Sequence, residues 1–269
     1  MPPRAVRPPA VAGAFYDARP GPLQAELDGY LAEPARPRRS VAGVMVPHAG
    51  YVFSGAICGH ALAAVEVPER VLLLHTKHHP GGGALCLADY DAWQTPLGAV
   101  PCDRELTEAL TAVPELSVTN LPHGQEHAAE VVLPFLQRLR PDVRVAVISV
   151  GHAPYRVLRR AGVHIAEQLG ELAVLVVASS DMNHYEDHET TLRKDELALA
   201  ELERFAPAAM LEVCQRHDIT MCGAAATALM LEITRARGAG AVELLEHDTS
   251  AAVSGDSHRT VGYASALVY

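Results

Sequence analysis

The sequence predicts an α/β domain with a central, mainly parallel or mixed sheet flanked by helices. Three observations point there. Short apolar runs rich in β-branched residues recur along the chain: VAGVMV, RVLLLH, RVAVISV and LAVLVVAS. The later runs are apolar throughout rather than alternating, as strands covered on both faces are. Between them lie longer stretches with helical patterning, and strands alternating with helices give helix layers on a parallel sheet. No repeat or low-complexity linker interrupts the 269 residues, so 1–269 reads as one domain.

Taken in order, a short helix over 23–31 leads into a Pro- and Arg-containing surface loop, EPARPRRS (33–40). A strand over 41–46 precedes a helix over 54–65. The strand at 70–75 runs into a loop with Pro80 and Gly81-Gly82-Gly83, and hairpins are expected around 81–102. The stretch 126–140 reads as a helix bent at Pro134, which lacks a backbone donor. Then come a strand (144–150), a helix (154–169) and the most strand-like run, 173–180. Helices over 190–203, 207–216 and 222–236 follow, with closing strands at 242–246 and 262–268.

Composition narrows the function. At 49% hydrophobic, the chain can bury a sizeable core without disulfides. Net charge is −10, and Lys and Arg cluster only at Arg36–Arg39 and Arg159-Arg160, so no basic face for nucleic acid is expected. No run approaches the roughly 18–20 apolar residues of a membrane span, and the start lacks the apolar core of a secretory signal. The five cysteines are dispersed, odd in number and without a CxxC pair. That pattern fits reduced thiols and a cytoplasmic location.

Histidines mark the candidate site. Pro47-His48-Ala49-Gly50, His75-Thr76-Lys77-His78-His79 and Ser180-Asp181-Met182-Asn183-His184 each follow a predicted strand. C-terminal strand ends of a parallel sheet share one rim, where ligands bind. Pro47 and Gly50 shape a turn that aims His48 outward, as a metal ligand or a plain loop histidine. Spacing alone does not choose among His75, His78 and His79, although neighbours on extended backbone point opposite ways. Asp181 beside His184 suits an orienting carboxylate with a general base, or a capping Asp with a solvated His. His127 and Glu130 share a helix face that either enters the site or meets solvent. Cys222 opens a predicted helix, whose N-terminal field should lower its pKa and favour thiolate; a small buried apolar side chain is the alternative.

In order and combination, these segments resemble the Memo family, the MEMO component of bacterial and archaeal AmmeMemoRadiSam gene sets. The resemblance runs from Arg7-Pro8-Pro9-Ala10-Val11-Ala12-Gly13-Ala14-Phe15-Tyr16 through Pro47-His48-Ala49-Gly50-Tyr51 and His78-His79. It continues through Glu126-His127-Ala128-Ala129-Glu130, Leu133-Pro134-Phe135, Ser179-Ser180-Asp181, His184, Met221-Cys222-Gly223 and Val261-Gly262-Tyr263-Ala264. It implies the fold of class III extradiol ring-cleavage dioxygenases, which hold non-haem Fe(II) with two His and a carboxylate. The implied metal ligands are His48, His78 and Cys222, the cysteine standing where those enzymes use glutamate. His184 takes the acid–base position and His127 that of a second active-site histidine.

The expected cofactor is non-haem iron(II) or copper, since thiolate for carboxylate softens the site. The expected activity is an oxidoreductase on a small aromatic or redox-active molecule. Its rivals are a non-catalytic metal- or partner-binding protein on the same fold, and a hydrolase with Cys222 as nucleophile and His184 as base. The resemblance also implies a functional link to a radical SAM protein and an AMMECR1-like protein. Two positions depart from the family pattern. His75-Thr76-Lys77 replaces the usual Gly-Pro-Ser/Asn before the His pair, and Ala128 replaces a Ser. Strand alternation turns Lys77 away from a metal that His78 faces.

Overall fold

Along every inner strand, successive apolar side chains go to opposite sides of the sheet, which explains why these runs do not alternate with polar residues. Val71 and Leu73 enter one core and Leu72 and Leu74 the other; Leu175 and Val177 part in the same way from Val176 and Ala178. Two helix layers cover the two faces. The computed structural model describes residues 5–32 and 37–269. Four residues of the expected 33–40 loop, Glu33 to Arg36, lie outside the described residues.

The chain opens with β1 (Val6–Arg7), α1 (Pro20–Leu31), β2 (Gly43–Val46), α2 (Tyr51–Ala63) and β3 (Arg70–Thr76). Next come β4 (Leu85–Leu87), β5 (Ala92–Thr95), β6 (Gly98–Pro101), α3 (Arg104–Leu110) and β7 (Leu116–Val118). These lead to α4 (His127–Glu130), α5 (Leu133–Leu139), β8 (Arg144–Val150) and α6 (Tyr155–Leu169). The final part holds β9 (Val174–Ser179), β10 (His184–Glu186), α7 (His188–Glu203), α8 (Pro207–Arg216) and α9 (Ala224–Ala236). It closes with β11 (Val242–Thr249), α10 (Ala251–Ser254) and β12 (Thr260–Val268).

The large sheet runs β10-β12-β2-β9-β3-β8-β4-β7, with β11 also paired to β12. Its centre is parallel: β2 pairs β9, and β3 pairs β9 and β8. β12 is antiparallel to β2, β10 and β11, and β4 is antiparallel to β8. The domain is therefore α/β with a mixed, mainly parallel sheet, as the sequence predicts. Adjacent, co-directed β2, β9 and β3 bring the three histidine segments to one rim.

The structure amends several elements. The 126–140 helix is two helices parted at Val131–Val132, because Pro134 lies in the first turn of α5, where its missing donor costs nothing. α2 starts at Tyr51, earlier than expected. β5 and β6 supply the expected hairpin, turning at Gly98 with φ +119°. β1, α3, β7 and β10 are unanticipated because each is too short to show a period. Among the described residues no helix is long and apolar enough to cross a membrane.

A small sheet, β1-β5-β6, carries the N-terminal segment. Arg7 there is fully buried under Trp93, its guanidinium carbon 4.7 Å from the indole centroid. It forms an ion pair with buried Glu130 and donates to the carbonyls of His123 (3.2 Å) and Glu126 (2.5 Å). Glu130 also accepts from Ala10 N, Val11 N and Tyr16 Oη at 2.7, 3.0 and 2.7 Å. Removing one partner strands a buried charge, at about 3–5 kcal/mol. Glu130→Gln should therefore destabilise the fold by about 3 kcal/mol, read as a fall in the urea midpoint at unchanged m-value. A loss below about 1 kcal/mol would show that the pair is solvated in solution.

Candidate metal centre

His48 follows β2, His78 follows β3 and Cys222 precedes α9, which packs against β2, β3 and β9. Their ligand atoms all lie within 4.8 Å of one another, and Cys222 Sγ is 3.3 Å from His48 Nε2. Close approach is possible here because residue 223 is glycine. A Cβ on Gly223 would meet the Ser179 carbonyl oxygen at 2.5 Å. The Thr76 hydroxyl donates to the Cys222 carbonyl at 2.6 Å, so a residue that departs from the family pattern ties β3 to the cysteine.

Both imidazoles are oriented from behind. Ser179 Oγ donates to the Ala128 carbonyl at 2.6 Å, which leaves its lone pair for His48 Nδ1–H at 2.8 Å. His78 donates Nδ1–H to Glu126 Oε1 at 2.8 Å, and its backbone N–H donates to Glu126 Oε2 at 2.8 Å. Each ring thereby carries its lone pair on Nε2, where His48 faces the Cys222 thiol at 3.3 Å, and metal-binding histidines are held from behind in the same way. Burial, then the field of His78, pulls His48 down to about 3, so it is neutral near pH 7. Burial raises Glu126, but the His78 hydrogen bond and the fields of His75 and His78 outweigh it. Its carboxyl stays well below the usual carboxylate range.

Cys222 requires a correction. The helix N-terminus does not activate it. Burial, and then the charge of Asp181, push its thiol up and outweigh the backbone N–H groups of Asp181 and Gly223, which pull it down. A metal ion reverses this by taking the place of the thiol proton. Two imidazole nitrogens and one sulfur within reach of bonds of about 2.0–2.3 Å suit a transition metal.

The other predicted residues divide. Asp181 accepts the His48 N–H at 2.7 Å and donates its own N–H to Cys222 Sγ at 3.3 Å, and burial raises its carboxyl. His127 stacks on His78, centroids 4.7 Å apart and planes 6° from parallel, with Phe15 beside it at 4.9 Å. Burial, then the field of His48, lowers it to about 4. His184 lies on β10, half-buried, close enough for its charge to act on His48 and Asp181. Glu130 leaves the site and meets Arg7 instead of solvent. His75 turns into the core, where Nδ1 faces the Thr76 carbonyl at 2.7 Å and Nε2 faces His123 Nδ1 at 3.0 Å. Lys77 donates to the Gly83 carbonyl at 2.8 Å, away from the three ligands. Sequence reasoning assigned no role to Glu126 or Ser179. Glu126 directly precedes His127, and that adjacency was the available signal.

A surface cleft of about 730 Å³ lies between the N-terminal segment and the start of α2, lined by Phe15, Asp17, Arg19, Glu26, Val52 and Phe53 among others. Phe15, one of its lining residues, packs against His127, which in turn stacks on His78.

Two outcomes follow. Because Cys222 is a protonated thiol and His48 a neutral ring, metal uptake near pH 8 should release about one proton from this pair of ligands. Calorimetry in buffers of different ionisation enthalpy measures it; no release would mean that the sulfur does not ligate. Lys77→Met should leave metal affinity nearly unchanged in a competition titration, whereas a large gain would place the ammonium inside the site.

The "Memo-like protein" family profile matches residues 7–267. A MEMO1 family protein of Methanopyrus kandleri is 36% identical over 276 residues, covering 96% of this chain and 97% of its own. One from Pyrobaculum arsenaticum is 34% identical over 278 residues, covering 98% and 99%. The crystal structure of an uncharacterized Escherichia coli K12 protein shares the fold with a TM-score of 0.53 at 12% identity. It covers 82% of this chain and 99% of its own. A family match over nearly every residue, with relatives this similar end to end, shows that the chain belongs to the Memo-like, or MEMO1, family.

Proposed function

We propose that this protein is a cytoplasmic non-haem iron or copper oxidoreductase of the extradiol dioxygenase type, acting on a small aromatic or redox-active molecule. One observation carries the reading. Two imidazoles and one thiol converge, while His184 nearby is engaged with the Thr220 carbonyl instead. A site built only to hold a metal has no need of a nearby histidine kept off it.

His48, His78 and Cys222 would hold the metal, which would supply Lewis acidity and redox capacity. The chain's own residues do the rest. His184 takes a proton from a bound hydroxyl, since its Nδ1 is engaged with the Thr220 carbonyl at 2.9 Å and Nε2 is bare. His127, neutral and stacked on His78, offers a hydrogen bond at the cleft side. Asp181 braces His48 and Cys222 through backbone hydrogen bonds. Phe15, which packs on His127, gives the cleft an apolar part with Val52 and Phe53 that suits an aromatic ring, while Asp17, Arg19 and Glu26 make the rest of its wall charged. The functional link to a radical SAM protein and an AMMECR1-like protein belongs to the same proposal.

The rival readings differ in measurable ways. A raised, buried Cys222 thiol works against the hydrolase, which needs a thiolate. Protein purified without oxygen and analysed for metals, then tested for O₂ uptake on a catechol panel, separates the three. Bound iron or copper with uptake supports the oxidoreductase. Tight stoichiometric copper without turnover selects the binding protein, and metal-free protein with fast alkylation of Cys222 selects the hydrolase. Alanine at His48, His78 or Cys222 should strip most of the metal from a folded protein. His184→Ala should keep the metal and lose about 10²–10⁴ in rate; loss of metal there would make His184 a ligand.

A further inference from the structure

His184 stands in a segment whose backbone is strained. Tyr185, the next residue, has φ +68°. That left-handed conformation is costly for a bulky side chain and persists only where the surroundings over-determine it. The groups that hold this segment converge on Thr220. The Thr220 hydroxyl accepts His184 N–H at 2.7 Å and donates to Asn183 Oδ1 at 3.1 Å. The Thr220 N–H donates to the same Oδ1 at 3.0 Å.

Asn183 is itself fixed. Its backbone N–H donates to the buried carboxylate of Asp195 at 2.9 Å, and its side-chain amide donates to Glu186 Oε2 at 2.6 Å. Lys194 holds Glu186 at 2.8 Å. With Nδ2 committed to a carboxylate, Oδ1 is left for Thr220. The Gly262 carbonyl and N–H take Met182 N–H and the Asn183 carbonyl, each at 2.8 Å, strapping the same segment to β12.

We infer that Thr220 is a positioning residue: it sets the tautomer and direction of the His184 ring and its separation from Cys222. A carbonyl oxygen only accepts, so the 2.9 Å contact to the Thr220 carbonyl places the ring proton on Nδ1 and the lone pair on Nε2. The opposite tautomer would set the Nδ1 lone pair against the Thr220 carbonyl oxygen and put an N–H at Nε2, so the ring could not take a proton there. Thr220 therefore makes His184 an acceptor rather than a donor. Cys222 lies two residues further along the same stretch, so one clamp holds the proton-accepting ring and the sulfur ligand in register. The purpose of this arrangement rests on the proposed role of His184; its geometry does not.

The test uses the full chain loaded with Zn(II) alone, with imidazole tautomers read from long-range ¹H–¹⁵N spectra. His184→Gln assigns the His184 signals. Wild type should show a neutral His184 with its proton on Nδ1. Thr220→Val keeps the shape and the carbonyl but removes both hydroxyl contacts. It should give a mixture of tautomers at wild-type zinc stoichiometry, and Thr220→Ser should restore the single form. Asn183→Ala attacks the same clamp without touching the Cys222 stretch and should also mix the tautomers, which covers the case of a misfolded Thr220→Val. The inference is overturned if wild type carries the proton on Nε2, or if both variants keep the wild-type tautomer. Loss of zinc from Thr220→Val with the wild-type tautomer retained would also overturn it, by showing that the residue acts on Cys222 and not on the ring. Failure of the iron- or copper-loaded protein to turn over any substrate, with the tautomer result intact, would remove the oxidoreductase reading and leave this one standing.

Discussion

The buried Arg7–Glu130 ion pair is the constraint on which the site depends. Two charges inside a protein are stable only when every remaining donor and acceptor finds a partner. Meeting that condition draws the segment from Ala10 to Tyr16, the loop at His123 and the helix α4 into one fixed arrangement. Glu126 lies on the same stretch, its carbonyl held by Arg7 and its carboxylate turned to His78. The orientation of a metal-ligand histidine is thus set through a charge pair outside the ligand sphere. Phe15, carried by the same segment, is placed against His127 by the same means.

The fold and the rim were legible in the sequence because burial on both faces leaves a clear trace. Strands such as RVLLLHT and VLVVAS have no polar alternation, so their bounds and their helical coverings follow from composition. Consecutive parallel strands must then end on the same side, which gathers His48, His78 and His184 without any knowledge of pairing order. The pairing order itself, β2-β9-β3, was not legible. It rests on which helix layers fit, a long-range matter.

The electrostatics of the site were less legible than its membership. Reading Cys222 from its place before a helix gave a lowered thiol, and the structure gives a raised one. The field of a helix end acts over a single turn at partly exposed sites, whereas Cys222 Sγ is enclosed beside the Asp181 carboxyl. Burial is a property of the assembled rim and leaves no mark in the local sequence. The choice among His75, His78 and His79 failed for a related reason. His75 is still within β3 and faces His123 in the core, while His78 lies beyond the strand end, where alternation no longer sets direction.

If Cys222 holds a metal as proposed, a thiol ligand differs from a carboxylate in more than donor softness. A carboxylate would bring its charge whether or not metal is bound, and would set it near buried Asp181. A thiol that burial keeps protonated brings charge only when metal arrives. Keeping the thiol protonated spares the site a second anion beside Asp181. His48, pulled far below its ordinary pKa, avoids becoming a buried cation by the same logic. Such a site requires the lone pairs to be directed in advance, which is the work of Ser179 behind His48 and Glu126 behind His78.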